Sequence, residues 1–173
     1  MSTSLSIGGI RAGFSWTFSK STSFGSDTSN SGAFSYSNSL TAGTGAGAAS
    51  KFYADEITIA GGATSNLDLA ASLTDIFGNS ISFSKIRLLY VEVVASESST
   101  GESVSLGGHA TAACASFFGS NSDTIKVKNG GCFQLTCKDA SAYAVTATTA
   151  DIIKIVNNDN SNPVVVRIGI AGE

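Results

Sequence analysis

Residues 81–95, ISFSKIRLLYVEVVA, carry the strongest core pattern of this 173-residue chain and decide its fold class. Apolar and polar side chains alternate along the stretch, which is the period-two pattern of a β-strand with one buried face. The alternation predicts an inward face of Ile81, Phe83, Ile86, Leu88, Tyr90 and either Val93 or Val94, and an outward face that includes Lys85, Arg87 and Glu92.

Comparable apolar runs recur roughly every 8 to 12 residues through residues 55–173, between Gly, Asn, Asp and Ser, as in an all-β sandwich or barrel. One exception is a predicted one-turn helix at 73–77, which Ser72 caps and Gly78 and Asn79 end. The further predicted strands are 52–59, 64–69, 103–106, 115–118, 124–128, 131–137, 143–147, 152–157 and 164–170.

The number of strands favours a single jelly-roll-like β-sandwich over residues 55–173. An immunoglobulin-like sandwich is the alternative. It is disfavoured because the only Trp of the chain lies outside this body, so that no Cys-Trp-Cys spacing exists. The sequence therefore predicts an all-β fold, with the jelly roll preferred.

The N-terminal residues 1–54 have a different composition and are predicted to form an extended arm. The first 50 residues contain 14 Ser, 8 Gly and three charged side chains, Arg11, Lys20 and Asp27. Such a segment has too few apolar groups to form a core of its own. The glycine-rich stretch at 43–47 is predicted to be a flexible hinge between arm and body, because a phosphate-binding loop would need a following helix and a lysine.

The arm nevertheless carries aromatic side chains that alternate with Ser and Thr, so that an extended chain has one apolar face. Ordering such a segment costs roughly 1 to 2 kcal/mol per residue, which a few aromatics cannot offset alone. We therefore expect a neighbouring subunit or partner protein to hold the arm. The alternative is that the arm folds back onto its own domain as extra strands. The predicted anchors are Phe14, Trp16, Phe18, Phe24, Phe34 and Tyr36.

Charge is scarce and excludes several classes of function. Charged residues make up 13% of the chain, about half the roughly 25% of an ordinary soluble domain, which suggests that much of the surface is covered in an assembly. A net charge of −3 argues against a nucleic-acid-binding groove. No window is long and apolar enough to span a bilayer, and residues 1–10 lack the features of a secretory signal.

Few residues could carry chemistry, and we predict no catalytic residues, no cofactor and no metal. His109 is the only His, and neither its loop setting nor Cys114 five residues later indicates a nucleophilic site. The spacing of Cys114, Cys132 and Cys137 matches no zinc motif, and we expect reduced thiols that act as small buried hydrophobes. The Asx-rich stretch at 157–162 is typical of a long hairpin turn, with a cation site as the alternative.

Several segments resemble a group of small virion proteins of tailed phages. The resemblance runs over roughly 34–169. Its elements are a Leu-Asp-Leu strand, Leu-Thr-Asp-Ile-Phe-Gly-Asn, a Lys-Ile-Arg-Leu-Leu-Tyr-Val-Glu strand, Asn-Gly-Gly before an apolar strand, and Tyr-Ala-Val-Thr-Ala. The first 33 residues lie outside it.

This resemblance implies a non-enzymatic jelly-roll protein that acts as a decoration or cement component of the capsid. We expect it to be in the virion, assembled in the host cytoplasm. Its expected partners are the major capsid protein or another virion protein, and further copies of itself in a homotrimer. A tail or fibre component that binds the host surface is the alternative.

Overall fold

The computed structural model describes residues 5–20, 28–71, 73–94 and 103–173. Over these residues the chain forms β-strands and one short helix. The elements are β1 (Ile7–Lys20), β2 (Thr28–Ala42), β3 (Ala48–Ala49), β4 (Lys51–Ile59), β5 (Thr64–Asp68), β6 (Leu73–Thr74), β7 (Ser80–Ile81), β8 (Lys85–Val93), β9 (Ser103–Gly107), α1 (Ala115–Phe118), β10 (Thr124–Lys128), β11 (Cys132–Thr136), β12 (Tyr143–Ala144), β13 (Ile152–Asn157) and β14 (Val164–Gly172). The predicted all-β class is confirmed.

Two antiparallel sheets form the body. The first has the order β10-β9-β13-β5, and the second has the order β11-β8-β14-β4, with β12 also paired to β8. Both sheets contribute to one hydrophobic core, as expected when two amphipathic sheets pack face to face. The two-sheet order is compatible with the predicted jelly roll. Fully buried core side chains include Leu89, Val91 and Ile170 from the second sheet and Leu106, Ile153 and Ile155 from the first.

The register of β8 differs from the sequence prediction at one point and changes which side chains face inward. Ile86 pairs with Gly172 and Leu88 pairs with Ala171, so that one extra residue, Arg87, is inserted into β8 as a bulge. The alternation therefore shifts beyond Ile86. Leu89 faces the core, whereas Leu88 faces outward, opposite to the prediction.

Two further side chains of β8 were placed wrongly by the uninterrupted alternation. Tyr90, predicted inward, belongs to the outward set and donates a hydrogen bond to Glu92 at 2.9 Å. Arg87, predicted outward, is 0% exposed. The predicted strand is also interrupted between Ile81, the end of β7, and Lys85, the start of β8.

Two short segments have the secondary structure opposite to the one predicted. The predicted helix at 73–77 is the first half of the β6-β7 hairpin. Its turn is closed by Asp75, whose carboxylate accepts hydrogen bonds from the backbone N–H groups of Phe77 and Asn79 at 2.8 Å. Ser72, the predicted cap, lies outside the described residues. An Asx turn of this kind binds backbone N–H groups through the Asp side chain, and it therefore competes with helix formation in the same segment.

The second exception is α1, which was predicted as a strand. Its four residues make one turn that ends at Gly119, whose N–H donates to the carbonyl of Ala115 at 2.8 Å. Gly119 has φ = 101°, a conformation that favours glycine and stops the helix. The rings of Phe117 and Tyr143 lie 5.3 Å apart, so that α1 packs against β12.

The predicted boundary between arm and body, at residues 54 and 55, falls inside β4. This strand pairs with β14 along its whole length, from Lys51 opposite Gly172 to Ile59 opposite Val164. The segment that precedes β4 forms a separate three-stranded sheet with the order β1-β2-β3.

Candidate protein-interaction surface

The strands β1 and β2 form a long two-stranded antiparallel ribbon. Its register is continuous from Ile10 opposite Asn38 to Lys20 opposite Thr28. Residues 21–27, which connect the two strands, lie outside the described residues. We call this structure the ribbon, and call its part beyond Ala12 and Tyr36 the ribbon tip.

Strand alternation gives the ribbon two faces of different chemistry. Side chains at every second position share a face, and directly paired residues point to the same side. One face, which we call the aromatic face, contains Ile10, Ala12, Phe14, Trp16, Phe18, Phe34, Tyr36, Asn38 and Leu40. The opposite face consists largely of Ser and Thr: Ser15, Thr17, Ser19, Ser29, Ser31, Ser35, Ser37 and Ser39.

Three rings at the ribbon tip form a cluster. The ring centroids of Trp16 and Phe34 lie 5.3 Å apart, and Phe14 lies 5.6 Å from Phe34 and 5.8 Å from Trp16. The indole N–H of Trp16 donates to Asn30 at 3.3 Å. These rings meet edge-on or tilted, which are favourable arrangements, but they remain open to solvent.

Exposure distinguishes the ribbon from the body. Phe14 is 63% exposed, Phe34 is 66% exposed and Phe18 is 72% exposed, although each is a large apolar group. The structure thus places five of the six predicted anchors on one face: Phe14, Trp16, Phe18, Phe34 and Tyr36. The sixth, Phe24, lies outside the described residues.

The base of the ribbon packs on the outer surface of the second body sheet. Four paired residues form a row across that sheet, in the order Thr136, Leu88, Ala171 and Phe52. Leu88 and Ala171 are buried in one cluster with Ile10, Leu40 and Ala49, against which Leu5, Ile7 and Phe52 also pack. The outward position of Leu88, which the β8 bulge produces, therefore supplies the seat for the ribbon base.

Hydrogen bonds fix where the ribbon leaves the body. The hydroxyls of Tyr36 and Thr136 are 2.8 Å apart, and the amide of Asn38 donates to the same Tyr36 oxygen at 3.0 Å. Thr136 belongs to β11, the edge strand of the second sheet. From Tyr36 to Thr28 the ribbon tip continues past that edge for about 26 Å, at roughly 3.3 Å per residue.

The loop at 43–47, predicted as a flexible hinge, is hydrogen-bonded to the body. The N–H of Gly45 donates to the Glu173 carboxylate at 2.8 Å, and the N–H of Gly47 donates to the Lys138 carbonyl at 3.1 Å. The Glu173 carboxylate also forms a salt bridge with the buried Arg87 guanidinium, with 2.5 Å between Oε1 and Nη2. This salt bridge and the Gly45 hydrogen bond hold the pKa of Glu173 below its usual range.

Sequence reasoning missed the role of Arg87. Besides Glu173, its guanidinium donates to the backbone carbonyls of Asp139 and Ala140. Arg87 thus connects β8, the loop after β11 and, through Glu173, the loop that leads out of the ribbon. An arginine within an apolar strand pattern could have indicated a buried ion pair, because a buried charge requires a partner.

The residues considered for chemistry have structural roles. Cys114 is fully buried, and burial raises the pKa of its thiol to about 11, so that the thiolate is scarce at neutral pH. His109 accepts a hydrogen bond from the N–H of Ala112 through Nδ1 at 3.1 Å. All three cysteines are free thiols. Cys132 is exposed and Cys137 is only half-buried, so the predicted buried role fits Cys114 alone.

The Asx-rich stretch is a turn, as predicted. Asp159 accepts hydrogen bonds from the N–H groups of Ser161 and Asn162, at 2.7 and 3.0 Å. The buried Asn157 side chain donates to the carbonyls of Ile59, Ala60 and Asn162. Across the described part of the chain, no group of three or more His, Cys, Asp and Glu side chains is placed to hold a metal ion.

Comparisons with known proteins do not identify the chain: no protein-family model and no curated protein matches it. Within the described ranges, no helix is long and apolar enough to cross a membrane. The functional interpretation therefore depends on the ribbon and its aromatic face.

Proposed function

We propose that this chain is a non-enzymatic structural protein of a tailed-phage virion, and specifically a capsid decoration protein. Its body is assigned to the jelly-roll sandwiches, and its ribbon attaches it to a neighbouring virion protein. The observation that carries the proposal is an uncharged cluster of aromatic side chains on a ribbon that extends about 26 Å beyond the body.

The energetics of the ribbon support attachment. A two-stranded ribbon alone is marginally stable in water, because it buries little apolar surface. Fully burying a Phe side chain contributes roughly 1.5 to 3 kcal/mol, and Phe14, Phe18 and Phe34 each have most of this contribution still available. A protein that covers the aromatic face would stabilise the ribbon and gain affinity from the same side chains.

The placement in a phage head is supported by the resemblance of residues 34–169 to small virion proteins. A low proportion of charged residues also favours a chain whose surface is partly covered in an assembly. The proposed mechanism is mechanical. Apolar burial repeated over many subunits adds the strength of many weak contacts, so that the shell resists the pressure of packaged DNA.

Counting copies per virion tests this proposal. We expect quantitative mass spectrometry of purified particles to give hundreds of copies of the chain, on the order of the number of capsid subunits, because a decoration protein repeats with the shell. Absence from the particles would contradict the structural assignment. A handful of copies would replace the head assignment with a tail-tip or fibre component that binds the host surface.

A further inference from the structure

Large apolar side chains that are exposed fall into two groups within the described residues. One group is the aromatic face of the ribbon. The other consists of Ile76, 66% exposed, and Phe77, 73% exposed, in the turn between β6 and β7. We call this turn, at 75–79, the apolar turn. Exposed apolar patches of this kind mark interaction surfaces.

Hydrogen bonds fix the backbone of the apolar turn, in which the side chains of Ile76 and Phe77 are exposed. The Asp75 carboxylate accepts from the N–H groups of Phe77 and Asn79 and from the Asn79 side chain, at 2.8, 2.8 and 3.1 Å. The turn also borders a groove of about 440 Å³, whose apolar lining comes from Leu5, Phe52 and Ile81. A fixed turn beside an apolar groove has the shape that receives a protruding aromatic side chain.

The two patches lie at opposite ends of one line across the molecule. The row Thr136, Leu88, Ala171, Phe52 runs from the β11 edge of the second sheet to its β4 edge. The ribbon tip leaves the body at Thr136. The groove and the apolar turn lie at the other end, beside Phe52.

We propose that the ribbon tip of one copy binds the groove and apolar turn of a second copy of this chain, so that copies join head to tail. The aromatic face would then contact two sheets: its base packs on the second sheet of its own copy, and its tip would pack on the second sheet of the next copy. The inference names the partner of the ribbon and rests on the proposal that its aromatic face is a docking surface, but it does not require the virion assignment.

The area that the ribbon tip leaves uncovered fits a second copy. With about 150 to 250 Å² for each aromatic side chain, the exposed fractions of the four described rings of the ribbon tip leave roughly 470 Å² to be covered. With a similar area on the receiving side, one contact buries on the order of 950 Å², which is close to the threshold of about 1,000 Å² for a specific interface. Lys20, which continues the alternation of the aromatic face, is its charged residue, and the groove carries one charge of each sign, Asp75 and Lys51.

This contact uses two different surfaces, so it is heterologous. Its repetition closes into a ring when the rotation between copies permits and otherwise gives an open chain. The homotrimer expected from the sequence is one such ring.

Sedimentation velocity of the purified full chain over a range of concentrations tests this inference. The tip variant combines Phe14→Ser with Phe34→Ser, and the turn variant combines Ile76→Ser with Phe77→Ser. All four side chains are exposed, so neither variant removes a core contact. The control variant carries Ser15→Glu with Ala33→Lys, a paired position on the opposite face of the ribbon.

We expect the wild type and the control variant to associate equally. Each of the other variants alone should associate at least about tenfold more weakly, as expected for loss of interface anchors. An equimolar mixture of the tip and turn variants should form a one-to-one dimer, because one supplies an intact turn and the other an intact tip.

Three results would overturn the inference: a wild type that stays monomeric at all concentrations, a turn variant that associates like the wild type, or a mixture that stays monomeric. A chain that is monomeric in solution but present in particles at high copy number would leave the proposed function standing and remove only this inference. A chain that associates as expected but is absent from particles would do the reverse.

Discussion

Arg87 shows how one side chain can couple the body to its ribbon. It is inserted as the extra residue of the β8 bulge, is inaccessible to solvent, and reaches the Glu173 carboxylate. The same carboxylate accepts from Gly45, in the loop that leads out of the ribbon. A buried charge that lost this partner would have only backbone carbonyls to compensate it, so removing one member of the pair costs more than breaking a surface ion pair.

Glu173→Gln should therefore destabilise the protein by about 1 to 2 kcal/mol at neutral pH, because it leaves Arg87 buried without a counter-charge. Urea unfolding curves measure the change. The matched control is Glu56→Gln, in which the lost partner of Arg167 is 55% exposed, and its cost should be clearly smaller than that of Glu173→Gln. Equal losses in the two variants would contradict the role of Arg87.

The effect of pH on the same pair has a defined direction. Because Arg87 lowers the pKa of Glu173 in the folded protein, the stabilisation is fully present above the ordinary value of 4.5 and is lost as the pH falls below it. The difference in stability between the wild type and Glu173→Gln should therefore shrink from pH 7 towards about pH 3. Urea midpoints at a series of pH values provide the measurement, and a difference that grows on acidification would refute the assignment.

Trp16 reports the state of the ribbon because it is the only Trp of the chain. A Cβ at Gly32 would lie 2.3 Å from its indole, so Gly32→Ala must displace the ring from Phe34. We expect a change in Trp emission and stronger acrylamide quenching, with a stability change below about 1 kcal/mol because the indole moves into solvent. Ser31→Ala, on the opposite face, is the control. Unchanged emission in Gly32→Ala would show that the indole does not cover this position.

At the scale of elements, the sequence pattern predicted most strands but neither the bulge in β8 nor the secondary structure of the two short segments 73–77 and 115–118. Alternation over 81–95 could not show a bulge at Arg87, because a bulge depends on pairing with β14. Four-residue segments such as 115–118 are too short for periodicity to separate helix from strand. The aromatic alternation of the arm did predict one apolar face. It could not predict that the arm pairs with itself as a ribbon, because alternation fixes the face of each strand but not its partner.

The ribbon tip and the ribbon base should respond differently to change. Replacing residues 14–34 with Asn-Gly joins the paired residues Gly13 and Ser35 by a two-residue turn and keeps the base. The body should retain its stability within about 1 kcal/mol, because none of the described side chains in the deleted segment is buried. Chemical denaturation followed by circular dichroism gives the measurement.

Leu40→Ala is the contrasting variant. This side chain is 2% exposed in the base cluster, so its truncation should cost about 2 to 4 kcal/mol. If the shortened ribbon destabilised the body as much as Leu40→Ala, the tip would belong to the folded core and would not be a docking surface.

At the scale of the whole molecule, the β-sandwich body supports the base of the ribbon, and the ribbon tip extends beyond it. The second sheet provides both the seat for the ribbon base and, at its far edge, the groove beside the apolar turn. The proposed linkage of copies uses this projecting ribbon, whose tip contributes no buried side chain among the described residues.

Incorporation into virions of the variant with Phe14→Ser and Phe34→Ser tests the central claim most directly. We expect its copy number per particle to fall at least about tenfold relative to the wild type, because each substitution removes an exposed anchor. The Ser15→Glu, Ala33→Lys variant, altered on the other face of the same ribbon, should be incorporated normally. Normal incorporation of the aromatic-face variant, or loss only in the Ser-face variant, would contradict the claim that the aromatic face attaches this protein.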